Sequence, residues 1–280
     1  MQKKIVSFLL FLFILGGCSS VNLNIDRKTY KATGKNNRIK YIILHYTAIN
    51  NEKSLRALTK GNVSAHYLVT SDKDQPIYSL VPDDERAWHA GFSKFNGREN
   101  LNDTSIGIEI VNLGIQPEAL KIYEGKGSGR SFFVPREAYI PYTEAQIEKI
   151  AFLVKELSAK YNISPKDITG HADIAPQRKK DPGPLFPWEL LYRKYGIGAW
   201  YNYDDYITYL DPALYHDTSV EAMKSEFRKY GYDMNETSEW DEESKRVVYA
   251  FQMHFRPGRC DGVMDLQTFA ILKALNKKYK

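Results

Sequence analysis

A proline-rich stretch ending at Asp181 carries side chains suited to binding a metal ion. Its sequence from Gly170 to Pro184 is GHADIAPQRKKDPGP. The prolines remove backbone donors and fix φ, which predicts a stiff loop over residues 174–184. Zinc accepts imidazole nitrogen and carboxylate oxygen, so His171 and Asp181 are candidate ligands that need a third from elsewhere. The best candidate is His45, near the end of an apolar run that predicts a buried strand, because a side chain at a strand end can reach a cleft.

Two further charged residues, Glu109 and Lys179, complete a predicted hydrolytic site. Glu109 lies in a strand pattern at residues 105–111 that has no other charged residue. A carboxylate in a buried strand is costly, so its presence indicates a specific role. Lys179 is two positions before Asp181. A zinc ion with three protein ligands keeps a water molecule and lowers its pKa to about 7. Glu109 is then the expected proton acceptor as that water attacks a carbonyl, and Lys179 stabilises the oxyanion.

Two other histidines and a tryptophan are candidates for contact with a substrate. His66 and His89 are alternative metal ligands, but a histidine in a strand or loop is more often a hydrogen-bonded structural residue or a substrate contact. We assign them no metal and predict that they contact substrate. Trp88 precedes His89. It is predicted to line the cleft and stack on a sugar or peptide, although a core position fits the sequence equally well.

Five separate segments form a dispersed motif in the expected order: HYTA from His45, SAHYLV from Ser64, AWHAG from Ala87, NDTSIGIE from Asn102 and the loop over residues 170–184. Together they resemble the zinc N-acetylmuramoyl-L-alanine amidases of the type 2 class, which share a fold with peptidoglycan recognition proteins. The whole chain is similar to the lipoprotein branch of that class on the Gram-negative outer membrane. The resemblance implies that His45, His171 and Asp181 bind one zinc ion, that Glu109 is the catalytic base and that Lys179 stabilises the transition state.

The N-terminus has the pattern of an export signal. Lys3 and Lys4 precede an apolar run over residues 5–15, which is shorter than the roughly 20 residues that span a bilayer. The following LGGC resembles a bacterial lipobox, which implies cleavage before Cys18 and acylation of Cys18, with palmitate among its chains. Ser19 after the cysteine implies sorting to the outer membrane, on its periplasmic face. An ordinary secretory signal with an incidental cysteine is the alternative.

Composition excludes a disulfide framework and gives no reason to expect nucleic acid. The chain has 280 residues and a formal charge of +5, which falls to +3 when Lys3 and Lys4 leave with the signal. No basic cluster predicts a nucleic-acid partner, whereas a mild positive charge suits an anionic cell-wall polymer and a solvated surface equally. Cys260 is the one cysteine besides Cys18, so we predict a small buried hydrophobe there.

Strand and helix patterns alternate over residues 38–200, which predicts one α/β domain with a mixed central sheet flanked by helices. Helices are expected at residues 50–60, after Thr143 in a capping box, and after Pro187. Residues 113–141, with three glycines in GKGSG, are predicted to form a long functional or mobile loop beside the cleft.

The C-terminal part has a different pattern. Three amphipathic stretches over residues 218–280 predict a small three-helix domain, and they resemble peptidoglycan-binding domains. A bundle that only supports the catalytic domain is the alternative. The predicted organisation is a signal peptide at 1–17, a lipidated tether at 18–37, the catalytic domain at 38–200, a linker at 201–217 and the wall-binding domain at 218–280.

The residues by themselves predict zinc-assisted amide hydrolysis. The resemblance adds the bond, which is the amide between N-acetylmuramic acid, intact or in its 1,6-anhydro form, and L-alanine of the peptidoglycan stem peptide, cut during cell-wall turnover or recycling. The implied partners are peptidoglycan or muropeptides and, through the lipid anchor, the outer membrane. Two alternatives stay open: a protein of the same fold that binds muropeptide without cutting it, and a non-catalytic lipoprotein that anchors the membrane to the wall.

Overall fold

The computed structural model describes Ile25, residues 28–123 and residues 132–279. The predicted signal peptide, Cys18, most of the tether and the glycine-rich part of the long loop at residues 124–131 lie outside the described residues. Residues 37–280 form one compact unit, and residues 1–36 are assigned to another. Among the described residues, no helix combines the length and apolar character needed to cross a bilayer.

A five-stranded sheet forms the centre of the larger unit. The strands of this sheet are β1 (Tyr41–Tyr46), β2 (Tyr67–Val69), β3 (Tyr78–Ser79), β6 (Ser105–Ile110) and β7 (Ile168–Gly170), and a separate ribbon contains β4 (Lys94–Phe95) and β5 (Arg98–Glu99). Their order in the sheet is β3-β2-β6-β1-β7, with β3 antiparallel to β2 and the other neighbours parallel. The apolar residues of β1 and β6 are buried on both faces, as expected for strands at the centre of a sheet covered by helices. The predicted mixed sheet is confirmed.

Five α-helices are described in the predicted catalytic domain. Asn50 caps the first through the backbone N–H of Lys53, and Thr143 and Gln146 form the predicted capping box of the third. Gly196 ends the fifth with φ of 69°, as expected for a glycine C-cap. The helices are α1 (Asn51–Lys60), α2 (Pro117–Tyr123), α3 (Glu144–Tyr161), α4 (His171–Ile174) and α5 (Trp188–Tyr195).

The long segment at residues 113–141 is more ordered than its sequence predicts. It contains α2 and a short 3-10 helix at Arg136–Ala138, and Ile115 forms a β-bridge with Tyr139. No residue of α2 is fully buried, and only Ala119 and Tyr123 pack partly against the core, so the helix has a weaker apolar face than a sequence pattern needs to identify it.

Five further helices follow the catalytic part. Ser219, Asp241 and Asp265 cap the last three, which are the three predicted from the sequence. Two short helices lie within the predicted linker at residues 201–217, and the Lys277 ammonium binds the carboxylate of Asp205. The helices are α6 (Tyr203–Tyr209), α7 (Pro212–Asp217), α8 (Val220–Tyr230), α9 (Glu242–Phe255) and α10 (Leu266–Lys278).

The C-terminal helices share one apolar core with the sheet domain. The Tyr249 hydroxyl in α9 donates a hydrogen bond to the carbonyl of Val134 at 2.7 Å. His254, also in α9, stacks on Trp188 with ring centroids 3.9 Å apart. Cys260 is buried and has a free thiol, as predicted. The predicted C-terminal domain is therefore packed against the elements that carry the candidate site.

Candidate active site

Three parallel strands bring distant residues to one edge of the sheet. In the pairing of β1 with β6, His45 lies opposite Glu109. In the pairing of β1 with β7, Leu44 lies opposite Gly170, so His171 follows at the same edge as His45. Carboxyl ends of parallel strands are where ligand sites form in open α/β sheets. The register therefore explains why residues separated by more than 60 positions meet.

The loop after α4 returns Asp181 to the same edge. The backbone N–H of Ala172 donates to the Asp181 carbonyl at 2.8 Å, and the Tyr142 hydroxyl donates to the Pro182 carbonyl at 2.8 Å. Gly170 permits this close approach, because a Cβ atom there would lie 2.5 Å from Cδ of Pro182. The loop is thus fixed from both sides.

Three potential ligand atoms converge at the strand ends. Nδ1 of His45 lies 2.9 Å from Nδ1 of His171, and Oδ2 of Asp181 lies 3.1 Å and 3.0 Å from these two atoms. All three residues are buried. Bonds of about 2.0–2.1 Å to a tetrahedral zinc ion place ligand atoms about 3.3 Å apart, so the three atoms fit around one such ion with small adjustments. Among the described residues, this is the one group of three or more His, Cys, Asp or Glu side chains arranged to hold a metal ion.

Electrostatics keeps His45 and Asp181 in their ligand forms. Burial, together with the charge of His171, lowers the pKa of His45 to about 4 although Asp181 opposes the shift. Burial acts to raise the pKa of Asp181, but the two histidines outweigh it and hold that pKa well below its usual range. A neutral imidazole and an ionised carboxylate are the forms that bind a divalent cation.

The carboxyl of Glu109, on the strand next to His45, has a raised pKa. Burial, together with the charge of Asp181, raises this pKa to about 8 although the charge of Lys179 opposes the rise. Within the described part of the chain, its Oε2 atom is buried and has no hydrogen-bond partner. A buried polar atom without a partner is rare outside functional sites. A pKa near neutrality suits a group that takes and returns a proton.

Lys179 lies on the loop between His171 and Asp181. Its backbone N–H donates to the Ala175 carbonyl at 3.0 Å, which fixes the start of its side chain. Its positive charge lowers the pKa of both Glu109 and His45. The ammonium is therefore close enough to act electrostatically on the site.

The structure does not present His66 and His89 to a substrate, contrary to our expectation from the sequence. His66 is 0 % exposed, accepts a hydrogen bond at Nδ1 from the backbone N–H of Gly107 and contacts the Glu85 carbonyl through Nε2. His89 is 8 % exposed and lies behind His45. Burial lowers the pKa of both imidazoles. The sequence shows that these histidines lie near the sheet but cannot show which side of the ligand histidines they occupy.

Trp88 is the predicted contact that remains accessible. Its side chain is 58 % exposed, and the Arg86 guanidinium lies 4.6 Å from its ring centroid. The core position that the sequence also allowed is excluded. An exposed aromatic ring of this kind is available for stacking.

A cavity of about 490 Å³ opens beyond the strand ends of β1 and β6. It is lined by Asn50 at the start of α1, by Asn112 after β6 and by Pro141, and its lining includes none of His45, His171 and Asp181.

Two family profiles match the chain. The N-acetylmuramoyl-L-alanine amidase profile covers residues 35–184, and the peptidoglycan binding domain profile covers residues 216–272. The first therefore spans all the candidate site residues and the second spans α8 and α9 completely.

Two relatives, AmiD and AmpDH3, match nearly the whole chain. The N-acetylmuramoyl-L-alanine amidase AmiD of Escherichia coli K12 is 40% identical over 278 residues, which are 95% of each chain. The crystal structure of AmpDH3 from Pseudomonas aeruginosa matches with a TM-score of 0.80 and 40% identity, over 92% of this chain and 99% of the other. The complex of AmiD from E. coli with its substrate anhydro-N-acetylmuramic acid-L-Ala-D-gamma-Glu-L-Lys matches with a TM-score of 0.76 and 40% identity, over 90% and 93% of the two chains.

Proposed function

Because the chain belongs to the N-acetylmuramoyl-L-alanine amidase family, it hydrolyses the amide between N-acetylmuramic acid and L-alanine, and we propose that it does so with one zinc ion bound by His45, His171 and Asp181. The observation that carries the proposal is the convergence of the three ligand atoms within 3.1 Å of one another. Two imidazoles and one carboxylate form a ligand set found in catalytic zinc sites, which leave the fourth position open.

We assign Glu109 as the proton acceptor and donor of the reaction. A zinc ion bound at this site supplies a Lewis acid and lowers the pKa of water to about 7. The buried carboxylate has an oxygen atom without a hydrogen-bond partner among the described residues, and it takes the proton of the attacking water and returns it to the leaving amine. The charge of the Lys179 ammonium stabilises the negative oxygen that forms from the substrate carbonyl.

The proposed substrate is a muropeptide, with the 1,6-anhydro form included. The AmiD relative was crystallised with an anhydromuramyl tripeptide. The exposed ring of Trp88 is proposed to stack on a sugar or peptide group, and the cavity beside Asn112 gives the substrate room beyond the strand ends. The match of residues 216–272 to the peptidoglycan binding domain supports the polymeric wall as a partner.

One digestion assay tests this function. Purified sacculi are incubated with wild-type protein, with Glu109→Gln and with chelator-treated protein, and released stem peptides are identified by mass spectrometry. We expect release by the wild type, loss of at least about 100-fold in the variant because a general base is removed, and restoration of chelated protein by added zinc. Glu118→Gln, which alters an exposed glutamate of α2, is the matched control and retains full release. Equal release with and without a chelator contradicts the metal assignment.

We also propose that the protein is a lipoprotein of the outer membrane. The sequence supports this through the apolar run at residues 5–15 and the LGGC that ends at Cys18. Acyl chains on Cys18 hold the protein on the periplasmic face without a spanning helix. Inhibition of lipoprotein signal peptidase with globomycin should leave a larger precursor, and a product of unchanged size contradicts the proposal.

A further inference from the structure

The segment His89-Ala90 contacts both candidate zinc-binding histidines from the side away from the ligand atoms. Nε2 of His45 lies 3.0 Å from Nδ1 of His89. Nε2 of His171 lies 3.0 Å from the carbonyl oxygen of Ala90. Two consecutive residues therefore contact the outer nitrogen of each imidazole, one through a side chain and the other through the backbone.

The direction of the hydrogen bonds at His89 follows from Ser105. The Ser105 hydroxyl donates its one hydrogen to the Leu101 carbonyl at 2.6 Å, so its oxygen can only accept from Nε2 of His89, which lies 3.2 Å away. A neutral imidazole carries one N–H group. Nδ1 of His89 is then an acceptor, and it receives the hydrogen of Nε2 of His45. This leaves Nδ1 of His45 with a free lone pair at the ligand position.

The direction at His171 is fixed independently. A carbonyl oxygen only accepts hydrogen bonds, so Nε2 of His171 donates to Ala90 and carries the hydrogen. Nδ1 of His171 is therefore also free to bind a metal ion. Nη2 of Arg178 donates its two hydrogens to the same Ala90 carbonyl and, at 2.7 Å, to the Phe92 carbonyl, so it has none for Nε2 of His171, which lies 3.3 Å away. These hydrogen bonds hold the backbone segment in place.

The segment is itself rigidly held. The side-chain oxygen of Asn102, which is buried, accepts the backbone N–H groups of His89 and Ala90 at 3.0 Å and 2.8 Å. Gly107 in β6 leaves space for the His89 ring, because a Cβ atom there would lie 2.3 Å from Cγ of His89. These contacts give the segment a fixed position relative to the sheet edge that carries the ligands.

We propose that His89-Ala90 is a positioning segment that sets both zinc-binding histidines in the Nε2–H tautomer and so prepares their Nδ1 atoms for the metal ion. The inference rests on the proposed zinc site. It assigns His89 a role in metal affinity, whereas the sequence pointed to substrate contact. Outer partners of metal-bound histidines orient the ring and raise its basicity, and their loss typically costs 10–100-fold in metal affinity.

Zinc affinity of variants tests the role of His89. Dissociation constants are measured by competition with a chromophoric chelator for wild type, His89→Ala, His89→Asn and His66→Ala. We expect His89→Ala to bind zinc about 10–100-fold more weakly. His89→Asn should recover much of the loss, because its amide oxygen can occupy the acceptor position of Nδ1. His66→Ala removes another buried, hydrogen-bonded histidine, whose ring centroid lies 5.7 Å from that of His89 but which has no hydrogen bond to His45. This variant should stay within about threefold of wild type, well below the loss expected for an outer partner of a ligand.

The outcomes separate the positioning role from the zinc site itself. Wild-type affinity in His89→Ala, or an equal loss in His66→Ala, overturns the positioning role while leaving the zinc site in place. Absence of zinc binding by wild-type protein contradicts the proposed function instead.

A second measurement needs no variant. Long-range ¹H–¹⁵N correlation spectra of zinc-loaded wild-type protein report which ring nitrogen of each histidine carries the hydrogen, and we expect the Nε2–H form for both His45 and His171. The Nδ1–H form at either residue overturns the inference.

Discussion

At the scale of single residues, Glu109 stands out because its burial in the folded protein disfavours the charged form of its carboxyl. Burial raises the pKa of its carboxyl to about 8, whereas its ordinary value is 4.5. Between these values the folded protein keeps a proton that the unfolded chain has lost. The folded state then binds more protons, so this residue makes stability fall as pH rises.

This sign gives a prediction for metal-free protein. The free energy of unfolding is measured by denaturant titration for wild type and Glu109→Gln at several values between about pH 6.5, the ordinary pKa of histidine, and pH 8. The advantage of the variant should grow with pH, by at most about 1.4 kcal/mol per pH unit, and level off above about pH 8. Below this window the buried His45 contributes the opposite slope. A constant difference between the two proteins contradicts a raised pKa at Glu109.

The residues that meet at the strand ends could be selected from the sequence, but the positions of the histidines around them could not. His45, Glu109, His171 and Asp181 stand out because their side chains interrupt apolar or proline-rich segments. His66 and His89 have the same residue type, and only the tertiary structure shows that they lie behind the site with both ring nitrogens hydrogen-bonded. No local pattern distinguishes a ligand from the residue that orients it.

At the scale of elements, the register of three parallel strands determines the site. The apolar runs of β1 and β6 predict strands, yet their pairing depends on contacts between residues far apart in the sequence. Residues 113–141 show the opposite failure, since no residue of α2 is fully buried and only Ala119 and Tyr123 pack partly against the core. Patterning thus predicts elements that bury a face and misses those that do not.

Gly170 provides a test at this scale. Gly170→Ala places a methyl group 2.5 Å from Cδ of Pro182, so the loop that carries Asp181 must move away from His171. We expect a loss of about 1–3 kcal/mol in stability, as for overpacking of a close contact, together with weaker zinc binding. Chemical denaturation and the chelator competition measure the two effects.

Gly258→Ala is the matched control for that substitution. No atom lies within 4 Å of the Cβ position at Gly258, so stability and zinc affinity should remain as in wild type. A Gly170→Ala protein that matches this control in both measurements contradicts the close packing of the loop on the strand end.

At the scale of the whole molecule, the C-terminal helices and the sheet domain are joined near the site. The Asp173 carboxylate in α4 accepts hydrogen bonds from the Tyr232 hydroxyl at 2.5 Å, from Nδ1 of His254 at 2.8 Å and from the backbone N–H of Gly170 at 2.8 Å. All of these side chains are buried. The sequence predicted the three C-terminal helices through their caps and apolar faces, but it contained no signal for this contact.

The shared core predicts cooperative unfolding. Calorimetry of the full chain should give a single transition, because removal of the C-terminal helices exposes Trp188 and leaves the Asp173 carboxylate buried without two of its partners. His254→Ala should lower the temperature of that one transition. Two separate transitions, with the substitution affecting only one of them, contradict this account.

The central claim is that one zinc ion is bound by two imidazoles and a carboxylate at the strand ends. A crystal of the zinc-loaded protein, with anomalous scattering recorded at the zinc absorption edge, tests it most directly. The account predicts one strong peak about 2.0–2.2 Å from Nδ1 of His45, Nδ1 of His171 and Oδ2 of Asp181. No peak there, or a peak bound through Nε2 of either histidine, would contradict it.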